Sequence, residues 1–163
     1  MRLEDIDQNF VLSNEGKLKI SEDVLNSMIS FVQDQRHKRE AGGVLIGRFI
    51  KNSKHIVIDE ISIPMAGDIR SRTFFKRGVK KHQEVIDKAW ERSNGTLNYL
   101  GEWHTHPENY PSPSSIDLAS WKLKLAKDTF SSRYLYFIIV GIKEIGVWEG
   151  DRRKLKIKKL YNG

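Results

Sequence analysis

The longest apolar run in the chain, Leu135–Ile142, is eight residues long with Gly141 inside it. A membrane-spanning helix needs about 20 apolar residues, so this run falls well short and suits one strand of a buried sheet. The remaining apolar stretches are no longer. The chain therefore has to hide its apolar surface by assembling many short elements around one core. At 163 residues it is the length of one ordinary domain, able to bury about 70 per cent of its unfolded surface, and residues 1–163 are read as that single domain. Hydrophobic residues at 39% and charged residues at 30% belong to a folded composition, not a disordered one.

The order of those elements can be followed along the chain. Phe10–Leu12 leads through Asn14-Glu15-Gly16 into Leu18 and Ile20, a hairpin signal. Ser21 is a natural N-cap with Glu22 and Asp23 in the first turn. Val24, Leu25, Met28, Phe31 and Val32 recur at helical spacing and predict a helix over 22–36. AGGVLIGRFI and HIVIDEISI form a second hairpin about Lys51-Asn52-Ser53-Lys54. A short strand over Thr73–Lys76 precedes a second amphipathic helix marked by Val79, Val85, Ile86, Ala89 and Trp90, which Asn94-Gly95 terminates in the left-handed manner. Leu97–Trp103 reads as a strand, a third helix starts at Ser114 or Ser115, and Tyr134–Ile142, Gly146–Trp148 and Leu155–Leu160 complete the sheet. With so many hairpins among the connections, the expected class is α+β, a mixed and largely antiparallel sheet flanked by helices.

The formal charge of +7 is concentrated. Residues 152–159, RRKLKIKK, hold six basic residues and no acidic one, and the rest of the chain sums to about +1. A strand with alternating lysines is better explained as a sheet edge protected from pairing than as a polyanion site, so neither nucleic acid nor membrane is an expected partner. The opening MRLEDIDQNF is acidic and lacks the charged-then-apolar pattern of a signal peptide, which points to a cytoplasmic protein. The chain has no cysteine, which removes disulfides, thiolate nucleophiles and sulfur-ligated zinc.

Chemistry is concentrated in Gly101-Glu102-Trp103-His104-Thr105-His106-Pro107, followed by Ser114-Ser115-Ile116-Asp117. Residues two apart on a strand face the same way, so His104 and His106 can present two imidazoles to one point, and Pro107 stops the strand behind them. A carboxylate in a first helical turn, Asp117, can point back to the strand end. Two histidines, one carboxylate and a water make an open zinc site of the catalytic kind. Taken singly these signals are weak: His-x-His commonly lies on a surface, and Ser114-x-x-Asp117 alone is a capping box. Together they are hard to explain that way. Other zinc hydrolase patterns fit badly, since there is no His-Glu-x-x-His helix, no cysteine for a deaminase site and too short a chain for an amidohydrolase barrel.

The string His104-Thr105-His106-Pro107, then Ser114-x-x-Asp117, with Glu40 ahead of GGVLIGRF, resembles the JAMM signature of the JAB/MPN metallopeptidases. The fuller GEWHTHPENYPSPSSIDLASW resembles the small bacterial JAB peptidases, including the deconjugating peptidase of CBASS anti-phage operons. The resemblance implies a JAB/MPN-like curved sheet and one Zn2+ per chain held by His104, His106 and Asp117. It also implies that Glu40 is the general acid–base and Ser114 the oxyanion donor. Its implied partner is a protein conjugated through its C-terminus to a lysine, either a ubiquitin-like protein or a CBASS nucleotidyltransferase. Processing of a ubiquitin-like or sulfur-carrier protein and a non-catalytic MPN-type binding module are the alternatives. By position alone Glu102, two residues before His104, rivals Glu40 as base or as a partner that orients an imidazole, and Glu108 lies in the same loop. His37, His55 and His82 read as ordinary surface or partly buried histidines and Trp103 as core. Trp121 supports the site or simply packs. Gly42 and Gly43 suit a close backbone approach or simply begin a strand, and Asn109, Tyr110 and Ser112 are candidates to line a substrate channel.

Overall fold

The computed structural model describes residues 6 and 8–163. The run Leu135–Ile142 supplies β8 (Tyr134–Val140), and its neighbours explain why it is apolar on both sides. Leu135, Phe137 and Ile139 face one layer, where Trp121, Leu125 and Trp148 meet them. Tyr136, Ile138 and Val140 face the other, among Leu18, Ile20, Leu25, Met28, Leu45 and Trp103. A strand covered on both faces cannot alternate apolar with polar residues.

Among the described residues ten strands and three helices follow in the order β1 (Asn9–Val11), β2 (Lys17–Ile20), α1 (Glu22–Ile29), β3 (Gly42–Phe49), β4 (Ile56–Ile61), β5 (Ile69–Ser71), β6 (Phe74–Lys76), α2 (Val79–Arg92), β7 (Asn98–Thr105), α3 (Ser115–Lys127), β8, β9 (Ile145–Asp151) and β10 (Lys156–Leu160). Eight strands form one sheet in the order β1-β2-β4-β3-β7-β8-β9-β10, and β5 pairs with β6 in a separate hairpin. The β2–β4 and β7–β8 pairs are parallel and the others antiparallel, so the α+β class with a mixed, largely antiparallel sheet is as expected. The sheet curls until its ends meet. The Val11 amide donates to the Tyr161 carbonyl at 2.9 Å, and Phe10 bridges Asn162. The lysine-bearing β10 is last in the sheet order, and the residues that follow it close the curve against β1. α1 packs within the enclosed core, while α3 lies on the outer face over β8 and β9, and α2 over β3.

The first helix is shorter than its periodicity predicts, ending at Ile29 and not near residue 36. Ser30 Oγ donates to the Ser27 carbonyl at 2.6 Å, a local bond that competes with helix continuation. Phe31 and Val32 still pack inward from the turn that follows, so they keep helical spacing without being helical. The second helix ends as expected, with Asn94 and Gly95 at positive φ and the Gly95 amide donating to the Trp90 carbonyl at 2.8 Å.

The strand that carries the two motif histidines, β7, bulges against β3: Leu45 faces Gly101 and Ile46 faces Tyr99, leaving Leu100 as the extra residue. Gly101 takes φ 144° there, and a Cβ on it would lie 1.7 Å from the Tyr136 carbonyl oxygen of β8. Gly67, at φ 98°, has nothing within 4 Å of such a Cβ. Gly101→Ala therefore adds a backbone clash to the conformational penalty and should lower unfolding free energy by more than about 3 kcal/mol, against about 1–2 kcal/mol for Gly67→Ala. Urea unfolding of both variants measures the difference, and equal losses would contradict the bulge geometry.

Candidate functional site

Glu40 lies 64 residues before His104. The β3–β7 ladder removes that distance by pairing Gly42 with His104, and the Thr105 amide donates to the Ala41 carbonyl at 2.9 Å. The side chain of Thr105, which sits between the two histidines, fixes the junction. Its Oγ1 accepts from the Ala41 amide at 2.9 Å and donates to Gln33 Oε1 at 2.7 Å. On the other side the β5 strand holds the Glu40 backbone: the Glu40 amide donates to the Ser71 carbonyl at 2.7 Å, and Arg70 Nε donates to the Glu40 carbonyl at 2.7 Å. Gly42 and Gly43 permit this packing, since a Cβ would lie 2.7 Å from the Phe75 ring and 2.1 Å from the Ser62 carbonyl oxygen respectively.

His104 and His106 are both buried and face one point, as the strand period predicts. Their Nε2 atoms are 3.0 Å apart, and Asp117 places Oδ1 3.3 Å from the first and Oδ2 3.1 Å from the second. Asp117 reaches them from the third position of α3, where Ser114 caps the helix reciprocally. Ser114 Oγ accepts from the Asp117 amide at 3.0 Å, and the Ser114 amide donates to Asp117 Oδ2 at 2.8 Å. The capping box and the convergent carboxylate are thus one arrangement.

The donor set can be tested against a tetrahedral ion. Ligands about 2.0–2.1 Å from zinc stand about 3.3 Å from one another, and the three separations here are 3.0, 3.1 and 3.3 Å. The tautomer agrees. Glu108 Oε1 lies 2.6 Å from His106 Nδ1, so the neutral ring carries its hydrogen there and turns the Nε2 lone pair toward His104 and Asp117. Lone pairs converging in this way call for a cation, and His104, His106 and Asp117 could hold a metal ion.

Without the ion, protons respond to the same field. Burial works against the charge of Asp117, but hydrogen bonds from His104 and His106 overcome it and hold the carboxyl far below its usual range. Burial also disfavours the charged form of His106, yet the hydrogen bond and charge of Asp117, followed by Glu108, raise its pKa overall. Glu40 is 4% exposed, with Oε1 3.9 Å from His106 Nε2. Burial drives its pKa up to about 8; His106 opposes the rise, and Asp117 and Glu108 add to it.

Glu102 occupies a different position from Glu40. It is ion-paired to Arg77 through Nε and to Lys124 Nζ at 3.2 Å, and Glu108 is the carboxylate that orients a histidine. Trp103 is core, as expected, and Trp121 is both core and support: it stacks on Phe137 at 4.6 Å and meets His104 edge-on at 6.3 Å. His37 and His55 are exposed. His82 is a correction, being fully buried, with Nδ1 2.6 Å from Ser62 Oγ and Nε2 2.9 Å from Asp68. Its place on the Ile86–Ala89 face of α2 was the available signal.

A cleft of about 650 Å³ opens beside the donors. Phe74, Arg77 and Val79 line one side and Ile116 and Leu123 of α3 another, with Glu102 and His104 of β7 between. Asn109, Tyr110 and Ser112 do not line it; the loop is instead anchored by the Asn109 carbonyl accepting from the Lys143 amide at 3.0 Å. Arg77 and the Phe74–Phe75 wall were invisible in sequence, because nothing local ties them to β7.

Glu40 also makes a prediction about stability. A carboxyl more easily protonated folded than unfolded contributes stability that is complete below pH 4.5 and is lost as pH rises through about 8. In metal-free protein, Glu40→Gln should therefore raise the melting temperature more at pH 8.5 than at pH 5.5, and equal shifts at both would contradict the buried placement.

The pattern of the family described as prokaryotic homologues of the JAB domain matches residues 21–154. An Escherichia coli (strain TW11681) protein named CD-NTase/cGAS isopeptidase is 36% identical over 158 residues, covering 97% of this chain and 91% of its own. A Vibrio cholerae protein of the same name is 34% identical over 157 residues, covering 96% and 97%. Among solved structures, a Desulfitobacterium hafniense protein superposes with a TM-score of 0.60 at 18% identity, over 87% of this chain and 88% of that one.

Proposed function

The chain belongs to the prokaryotic JAB-domain family, and on that premise we propose that it is a zinc-dependent isopeptidase acting on a protein conjugated through its C-terminus to a lysine. The observation that carries the reading is the convergence of three metal-donor atoms with the buried carboxyl of Glu40 beside them, at a cleft able to take an extended peptide. A zinc ion held by His104, His106 and Asp117 supplies Lewis-acid polarisation of the scissile carbonyl and activation of water. Glu40 takes the proton of the attacking water and returns it to the leaving lysine amine; a carboxyl with pKa near working pH can do both. Ser114 spends an oxygen lone pair on the Asp117 amide, which leaves its hydroxyl hydrogen free for the developing oxyanion. Glu108 holds the His106 ring in the tautomer that presents Nε2.

The relatives' shared name directs the choice of substrate. We take the conjugated protein to be a CD-NTase, the nucleotidyltransferase of a CBASS anti-phage system, released by cleavage of its C-terminal amide in the cytoplasm. The 163 residues act as one domain. No described helix is long and apolar enough to cross a membrane.

A reconstituted CD-NTase–lysine conjugate tests the assignment. With zinc the native chain should release the free enzyme, and a chelator should stop it. Glu40→Gln should keep its zinc and lose turnover by more than about a hundredfold, Ser114→Ala should lose about 10²–10³-fold, and Glu102→Gln should stay within about tenfold. Full activity in Glu40→Gln beside a dead Glu102→Gln would reverse the base assignment. Persistence of the conjugate with the native, zinc-loaded chain would remove the substrate.

A further inference from the structure

Away from the metal donors the cleft is positively charged. Lys76, Arg77, Lys124 and Lys127 line it, against Glu102 and Asp128. One cation would balance Glu102, yet it meets two, Arg77 and Lys124. Arg77 is the less conventional of them. Its side chain is only 17% exposed, and within the described residues its guanidinium bonds through Nε alone, to Glu102. Both terminal nitrogens lack a partner, and neither is sealed from the cleft, since no buried polar side-chain atom among the described residues is unsatisfied. Glu102 thus fixes the guanidinium from its Nε edge and leaves the opposite edge, a planar pair of donors, open. That edge matches a carboxylate. Lys124 is spent on Glu102 and Ser120, whereas the side chain of the exposed Lys127 has no hydrogen-bond partner among the described residues. Exposed Phe74, Val79, Ile116 and Leu123 rim the same cleft with apolar surface.

We propose that Arg77 reads a carboxylate on the substrate polypeptide, an aspartate or glutamate side chain close to the scissile amide and flanked by apolar residues, with Lys127 adding positive potential. Glu102 and His104 are two residues apart on one strand, about 7 Å, and an extended peptide covers that span in two residues. The carboxylate therefore lies within about three residues of the amide. The inference rests on the isopeptidase reading for what enters the cleft, and it adds a sequence preference to it.

Two isopeptide probes separate the possibilities: a labelled apolar peptide joined through its C-terminus to a lysine side chain, with glutamate at each of the last four positions in turn, and its glutamine counterparts. Zinc-loaded native protein reports kcat/KM, and zinc-loaded Glu40→Gln reports Kd by fluorescence polarisation. One glutamate position should be favoured over glutamine about tenfold in both measurements, and the ratio should shrink at high salt. Arg77→Met should bring the ratio to about one. Lys127→Glu, an exposed change, should lower it several-fold with the fold intact. A ratio is insensitive to a uniform loss of folded protein. Probes cleaved without preference at every position overturn this inference and leave the isopeptidase intact. Probes bound with the preference but never cleaved uphold it and sink the isopeptidase reading. Probes that do not bind overturn it.

Discussion

The candidate site depends on the register of one strand pair. Gly42 opposite His104 is what sets Glu40 beside two histidines more than sixty residues away, and a one-residue slip would turn both imidazoles away from the cleft. The surroundings hold that register from several directions. The Leu100 bulge and the close approach of Gly101 to β8 fix it along the strand, and Thr105 ties the junction to Gln33 and Ala41. The β5 strand clamps the Glu40 backbone from outside the sheet. Backbone hydrogen bonds thus position Glu40, so its carboxyl can remain buried and poorly solvated without being mobile.

Much of this was legible in the sequence. The strand period placed His104 and His106 on one face, Pro107 ended their strand, and the Ser114 cap predicted a carboxylate in the first turn of α3; all three hold because they depend on residues within a dozen positions of one another. Glu40 is another matter: only family resemblance points to it, since nothing local says which strand will pair with β7. Sequence position makes Glu108 merely a neighbour, but its 2.6 Å contact to His106 makes it the orienting carboxylate. Periodicity overextends helix α1 because Phe31 and Val32 pack into the core from a turn, which the spacing alone cannot distinguish from a helix. His82 looks ordinary in the sequence because a buried imidazole needs partners, and its partners, Ser62 and Asp68, come from other elements.

The cleft divides its electrostatic work. At one end acidic groups, Asp117, Glu40 and Glu108, gather around two histidines and create a demand for a cation. At the other, Arg77 and Lys124 exceed the charge of Glu102. Glu102 separates the two regions, its carboxylate taken up by both cations and therefore withheld from the histidines two residues on. Glu102, which rivals Glu40 by sequence position, is the residue that keeps the guanidinium in place.

Elemental analysis of the purified chain, alongside His104→Ala, measures whether His104, His106 and Asp117 hold a metal ion. About one zinc per native chain is expected, with its loss in the variant and the fold retained. A native chain that remains metal-free after zinc is supplied would contradict it, and the convergence of donor atoms would then have to be explained as a proton-bridged cluster serving a binding module.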